Sequence, residues 1–294
     1  MEEAYYNPYN FGAIPLEYTS YDAAKVVVVP VPLESTTTYV PGTRNAPDAI
    51  MRASTHMELY DEEIGRSTYT VGIHTTPELS PFADLGQSTT LVAETVRKFI
   101  DDEKLVAVVG GEHSVTIGSV RAARERYRDL SVLYFDAHAD LRDSLAGTRF
   151  NHACVARRLA ELCPVVQVGI RSLSEAEVPL TNSGNVTTVF ARDVRSGLDL
   201  EKVVEPLSPN VYISIDMDVF DPSVVPGVGT PEPGGLDWRL MNDILGTVCK
   251  NRRVCGFDVV EVCPIPGTVV SEYTAARLIY RLIGLIARTR GWFD

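Results

Sequence analysis

The feature that most constrains this chain is a repeated alternation. A short unbroken run of apolar, largely β-branched residues is followed by a loop and then by a segment of helical periodicity. The runs are Lys25–Val29, Leu105–Val109, Ser131–Phe135, Val165–Ile170, Val186–Phe190, Val211–Ile215 and Val254–Val260. They are continuous rather than alternating apolar and polar, as strands covered on both faces should be. Helical patterns occupy Asn45–His56, Ser88–Asp102, Ser114–Asp129, His152–Leu162, Leu236–Lys250 and Ser271–Arg288, the first with proline at an early position that a helix tolerates. Strand–helix alternation of this kind predicts an α/β fold with three layers, α/β/α, around a mostly parallel sheet. No repeat, low-complexity tract or linker interrupts it, so residues 1–294 are expected to form a single domain. Strand order is not encoded in the pattern.

Composition narrows the function. At 294 residues and 45% hydrophobic content the chain can bury its own core and is not intrinsically disordered. A net charge of −12 argues against nucleic acid as a partner, because phosphate backbones are held by clustered Lys and Arg. The longest apolar run, Val26–Leu33, contains two prolines and is far too short to span a bilayer. The opening MEEAYYNPYN is acidic and polar, unlike a signal or transit peptide. Five cysteines without a CxxC pair read as reduced, packed thiols. A cytoplasmic protein without membrane contact is expected.

In parallel sheets, ligands bind beyond the carboxyl ends of the strands. Three of the predicted strands end there in residues able to bind metal. Gly110-Gly111-Glu112-His113-Ser114 follows one, Asp136-Ala137-His138-Ala139-Asp140 a second, and Asp216-Met217-Asp218 a third. Residues two apart in an extended segment share a side, so Asp136, His138 and Asp140 converge if the chain stays extended, as do Asp216 and Asp218. The paired glycines are expected to let the backbone turn sharply before His113. Four carboxylates in one place demand positive charge, and two divalent cations would match them. The mixed carboxylate and imidazole set, free of cysteine, suits Mn²⁺. His152 reads either as a helix-start residue or as a proton shuttle beside the metals. Glu261, at a fourth strand end and stiffened by Pro264 and Pro266, reads either as a surface glutamate or as an anchor for a cationic substrate. His56 and His74 lack such company.

These motifs, with Phe135 before the second and Asp221-Pro222-Ser223 after the third, resemble those of the ureohydrolases, the family of arginases and agmatinases. The resemblance spans nearly the whole chain, from Pro41-Gly42-Thr43-Arg44 to Glu261. It implies an arginase-like fold, two Mn²⁺ per chain and hydrolysis of a guanidino group to urea and an amine. It further implies that His113, Asp136, Asp140 and Asp216 hold one ion and His138, Asp136, Asp216 and Asp218 the other. His152 would shuttle protons, and Glu261 would receive the guanidinium. A homo-oligomer, trimer or hexamer, is also implied.

Arg142 stands where arginases carry Asn, Gly169-Ile170-Arg171-Ser172 lacks their following acidic residue, and Thr230–Leu236 includes Glu232. All three are closer to agmatinases, and Arg142 and Glu232 join the substrate-binding candidates. The expected reaction converts agmatine and water to putrescine and urea, a step of polyamine biosynthesis. N1-aminopropylagmatine, guanidinobutyrate and, less favoured, arginine are alternative substrates. A one-zinc acetylpolyamine deacetylase is the rival from another reaction class.

Overall fold

The structure is a computed structural model that describes residues 9–197 and 199–293. The first eight residues, which include most of the acidic opening segment, lie outside it. Eight strands form one sheet among the described residues: β1 (Val26–Val31), β4 (Ile73–Thr75), β5 (Leu105–Gly110), β6 (Leu130–Phe135), β7 (Val165–Ile170), β8 (Val186–Phe190), β9 (Asn210–Asp216) and β10 (Arg253–Val260). Their order is β4-β1-β5-β10-β9-β6-β7-β8, and every pairing is parallel. A small antiparallel ribbon, β2 (Tyr60–Asp61) with β3 (Arg66–Ser67), stands apart. The helices are α1 (Ala46–Ser54), α2 (Leu85–Asp101), α3 (Val115–Arg126), α4 (Val155–Ala160), α5 (Ala191–Arg195), α6 (Glu201–Val204), α7 (Trp238–Asn251) and α8 (Val270–Thr289).

The continuous apolar runs now have a physical reason. Successive side chains of a strand point to opposite faces, so each run feeds two cores. Val26 and Val28 of β1, Leu105, Ala107 and Val109 of β5, and Val211, Ile213 and Ile215 of β9 pack with α1, α7 and α8. Val27 and Val29 of β1, Val106 and Val108 of β5, and Val132 and Tyr134 of β6 pack with α2, α3 and α4 on the other face. The expected three layers are present.

Sheet order decides where chemistry can occur. The four central strands, β5, β10, β9 and β6, lie side by side, and the chain winds outward from them in opposite directions. The crevice at such a reversal is where open α/β sheets bind ligands. Registers place Val260 beside Asp216 and Phe135 beside Ile215, so the carboxyl ends are level.

The chain bends after β5 as expected, but the glycine pair there also meets a second constraint. Neither Gly110 nor Gly111 has a positive φ. Instead, a Cβ on Gly111 would stand 2.1 Å from the carbonyl oxygen of Leu33, and one on Gly110 would meet Val115 and Val260 at 2.7 and 2.8 Å. They permit close approach: Gly111 donates to the Val31 carbonyl and Glu112 to that of Leu33. Gly111→Ala must push the β1 exit away from the β5 exit. A loss of about 2–3 kcal/mol is expected from such overpacking, and denaturant unfolding without added metal measures it.

Candidate metal centre and adjoining cavity

Three of the four carboxylates are oriented by the backbone, one oxygen pinned by an amide and the other facing the imidazoles. Asp136 Oδ1 accepts from the His138 amide (2.5 Å), Asp216 Oδ1 from that of Asp218 (2.8 Å), and Asp218 Oδ1 from that of Ala137 (3.0 Å). The free oxygens converge. Asp136 Oδ2 and Asp216 Oδ2 lie 3.1 and 3.2 Å from His113 Nδ1, and Asp218 Oδ2 lies 2.8 Å from His138 Nδ1. Asp140 Oδ2 is 3.8 Å from His113 Nδ1 and accepts from the Tyr134 hydroxyl at 2.7 Å. Asp140 reaches this place through a left-handed backbone (φ 49°), so the segment is not simply extended throughout.

Two groups of donors can each surround an ion: His113, Asp136 and Asp140, and Asp136, His138 and Asp218. Asp136 belongs to both. Its Oδ2 is buried and accepts no hydrogen bond, which in a protein interior calls for a partner. Electrostatics says the same. Burial, with the charges of neighbouring aspartates, raises Asp140 and Asp216 well above the carboxylate range. Burial would lower His138, but Asp218 and Asp136 outweigh it and push the ring up to about 12. The cluster is short of positive charge, and its hard oxygen and imidazole donors fit a cation of the Mn²⁺ type.

Behind the imidazole stands a second layer that orients it. His113 Nε2 lies 2.8 Å from Ser214 Oγ, which donates to Asp258 Oδ1 (2.7 Å), while Tyr212 donates to Asp258 Oδ2 (2.9 Å). With Nε2 so engaged, Nδ1 is directed at the carboxylates, and the ring stacks on Tyr134 with centroids 4.6 Å apart. Such partners fix the tautomer and raise ligand basicity. The sequence patterns assign no role to Ser214, Tyr134 or Asp258, although Asp258 is a carboxylate in a strand buried from Val254 to Val260, and that is its signal.

Beside the cluster opens a cavity of about 400 Å³, lined among others by Thr38, Arg142, His152, Glu177, Thr230 and Glu261. Glu261 is placed at its wall by another left-handed backbone (φ 65°), with its amide on the Gly111 carbonyl. Its Oε1 accepts from the His113 amide at 2.6 Å. Burial, then the nearby Glu112, pushes its carboxyl up to about 8. His152 begins a 3₁₀ turn, His152–Cys154, whose cap is Asn151, and it also lines the cavity, so the helix-start and cavity positions are one. Arg142 lies 3.9 Å from Glu177, which itself accepts from the amides of Leu141 and Ser174.

Glu232 is not among the lining residues. Its main-chain carbonyl instead accepts from Arg171, whose guanidinium also bonds the carbonyls of Gly169, Asp218, Val219, Phe220 and Pro233. Arg171 thus clamps the turn after Asp218 to the 230–234 loop, a role sequence reasoning did not assign. His56 is exposed, and His74 bonds the Thr19 carbonyl, both away from the cluster.

A sequence profile described as the Arginase family matches residues 24–284. The chain belongs to that family. Among similar relatives of this ureohydrolase is the N(1)-aminopropylagmatine ureohydrolase of Synechocystis sp., 39% identical over 279 residues and 90% of each chain. The agmatinase of Pyrococcus horikoshii is 34% identical over 285 residues, covering 95% of this chain and 99% of that one. The crystal structure of the agmatine ureohydrolase of Thermoplasma volcanium superposes with a TM-score of 0.86 at 32% identity, covering 93% of both chains.

Removing an outer partner of a metal ligand typically costs 10–100-fold in affinity. Asp258→Asn should therefore weaken manganese binding within that range, and Asp136→Asn, which strikes both donor groups, by roughly 100-fold or more. Metal titration followed by elemental analysis reads both. Unchanged binding in Asp136→Asn would show that this carboxylate is not shared.

Proposed function

We propose that this ureohydrolase cleaves the guanidino group of N1-aminopropylagmatine to urea and an amine, using two Mn²⁺ held by His113, Asp136, Asp140, Asp216, His138 and Asp218. The observation that carries the reading is the joint geometry of the two donor groups sharing Asp136 and a cavity walled by Glu261. The cavity is also lined by the carboxylates of Asp140, Glu177, Asp216 and Asp218, against the single guanidinium of Arg142, itself near Glu177. Such a lining favours a cationic ligand. The choice among cations leans on kinship: relatives named for N(1)-aminopropylagmatine are 39% and 40% identical, against 34% for the Pyrococcus horikoshii agmatinase. Agmatine is the second reading, favoured by the Thermoplasma volcanium structure.

Glu261 offers the seat. Its Oε1 is occupied by the His113 amide, leaving Oε2 without a protein donor among the described residues. A planar guanidinium meets a carboxylate through charge-assisted hydrogen bonds, and this one sits beside the donor cluster. When bound, the cations would lower the pKa of water from 15.7 to about 7 and polarise the group under attack. His152 faces the same cavity and supplies an imidazole that can pass a proton to the departing amine, without which the C–N bond does not break cleanly. The five cysteines are buried free thiols, and no helix among the described residues is long and apolar enough to cross a membrane. Both features fit the cytoplasmic location we infer. The trimer or hexamer that the family resemblance implies is open to light scattering.

Urea release with added Mn²⁺ should be fastest on N1-aminopropylagmatine, with arginine at least roughly 100-fold poorer in kcat/KM, and faster release from agmatine would select the second reading. Preference for arginine would overturn the substrate reading, and one zinc per chain in place of two manganese would support the deacetylase rival. Glu261→Gln, losing about 1.5–3 kcal/mol of a charged hydrogen bond, should lower kcat/KM by roughly 10–100-fold. Kinetics equal to wild type would mean that the guanidinium sits elsewhere.

A further inference from the structure

His152 is not held by its own segment alone. The Thr36 hydroxyl, from the loop after β1, lies 2.9 Å from His152 Nδ1 and 3.0 Å from the His152 amide. The same hydroxyl lies 2.9 Å from Glu112 Oε1. Glu112, next to His113 but turned away from the donor cluster, is fully buried and surrounded by donors. Its Oε2 accepts from the amides of Ser35 and Thr36, both at 2.6 Å, and its Oε1 also from Ser114 Oγ at 2.6 Å. Ser35, Thr36, Glu112 and His152 thus join two strand exits and the 3₁₀ turn that begins at His152.

Proton accounting gives this chain a direction. A carboxylate ringed by four donors accepts only, so the single Thr36 proton goes to Glu112. The Thr36 oxygen must then accept, and it has two neighbours to accept from: the His152 amide and Nδ1–H. The ring proton is therefore on Nδ1. Nε2 makes no protein hydrogen bond among the described residues, and His152 lines the cavity. His113 and His138 line the same cavity, and Glu112 is joined to the ring through the Thr36 hydroxyl.

We propose that Thr36, itself fixed by Glu112, is a positioning residue that holds the His152 imidazole in the Nδ1–H tautomer and so presents Nε2 as the proton-exchanging atom. The proposal rests on the reading of His152 as the proton carrier in guanidino hydrolysis. It assigns a task to a residue that touches neither the metal donors nor the substrate. Thr36 is to His152 what Ser214 and Asp258 are to His113.

The test is a double-mutant cycle on the manganese-loaded enzyme with its best guanidino substrate. His152→Ala should lower kcat by roughly 100-fold or more. Thr36→Val should lower kcat by about tenfold, the worth of one hydrogen bond, with KM and manganese content close to wild type. Thr36→Ser, which keeps the hydroxyl, should recover most of the loss. In the double variant, Thr36→Val should cost nothing beyond His152→Ala, because residues acting as a unit are not additive. The pH–rate limb that vanishes in His152→Ala should shift in Thr36→Val and not in Thr36→Ser.

Thr36→Ala stands in for the valine variant if the added methyl disturbs the loop, which thermal melting would show. A further tenfold fall in the double variant would overturn the proposal, as would a Thr36→Val loss confined to KM or metal content. Absence of urea release by the wild-type enzyme on every guanidino compound would instead defeat the reading of the function, a distinct outcome.

Discussion

The structure depends on holding like charges together. Four carboxylates, from the ends of two neighbouring strands, are confined with two imidazoles in a space where most are buried. Left to themselves, they would repel or take up protons. The backbone fixes three of them, the amides of Ala137, His138 and Asp218 each holding one oxygen and aiming the other inward, and the Tyr134 hydroxyl holds the fourth, Asp140. The sheet thus supplies geometry and local strain is accepted in return, as at Asp140 and Glu261, where non-glycine residues adopt left-handed conformations. Such conformations cost about 1–3 kcal/mol each and cluster where function requires them.

The surrounding layers serve that confinement. A fully parallel sheet brings four strand ends level at the reversal of strand order, and two separate apolar cores clamp it from either face. Two of the polar residues that penetrate the sheet lie behind the candidate metal donor His113. Asp258 and Ser214 sit within strands that are otherwise apolar, and their hydrogen bonds run to His113. A family profile covering most of the chain and relatives at 34–40% identity agree with this organisation.

Much of this was legible in the sequence. Continuous Val/Ile runs marked the seven longer strands of the sheet to within a residue or two, because burial on both faces leaves no room for polar positions. The edge strand Ile73–Thr75 escaped notice: it has three residues, two of them polar, and pairs on one side only. Helices α5 and α6 are too short to show a period. The six donor residues stood out because three strand ends carried them at spacings of two. Thr36 could not stand out, since one hydroxyl in a Ser-Thr-Thr-Thr stretch gains meaning only from a ring 116 positions later. The Gly110–Gly111 pair marks the bend that follows β5, but the nearness of Leu33, which requires glycine at 111, is a distance that a single chain read alone does not carry.

Arg171 has a consequence for how anything enters. By gathering carbonyls from the end of β7, the turn after Asp218 and the 230–234 loop, it makes one bank of the crevice a single stiff body. Thr230, at the start of that loop, lines the cavity, so the loss of one guanidinium outside the lining would be felt at the cavity wall.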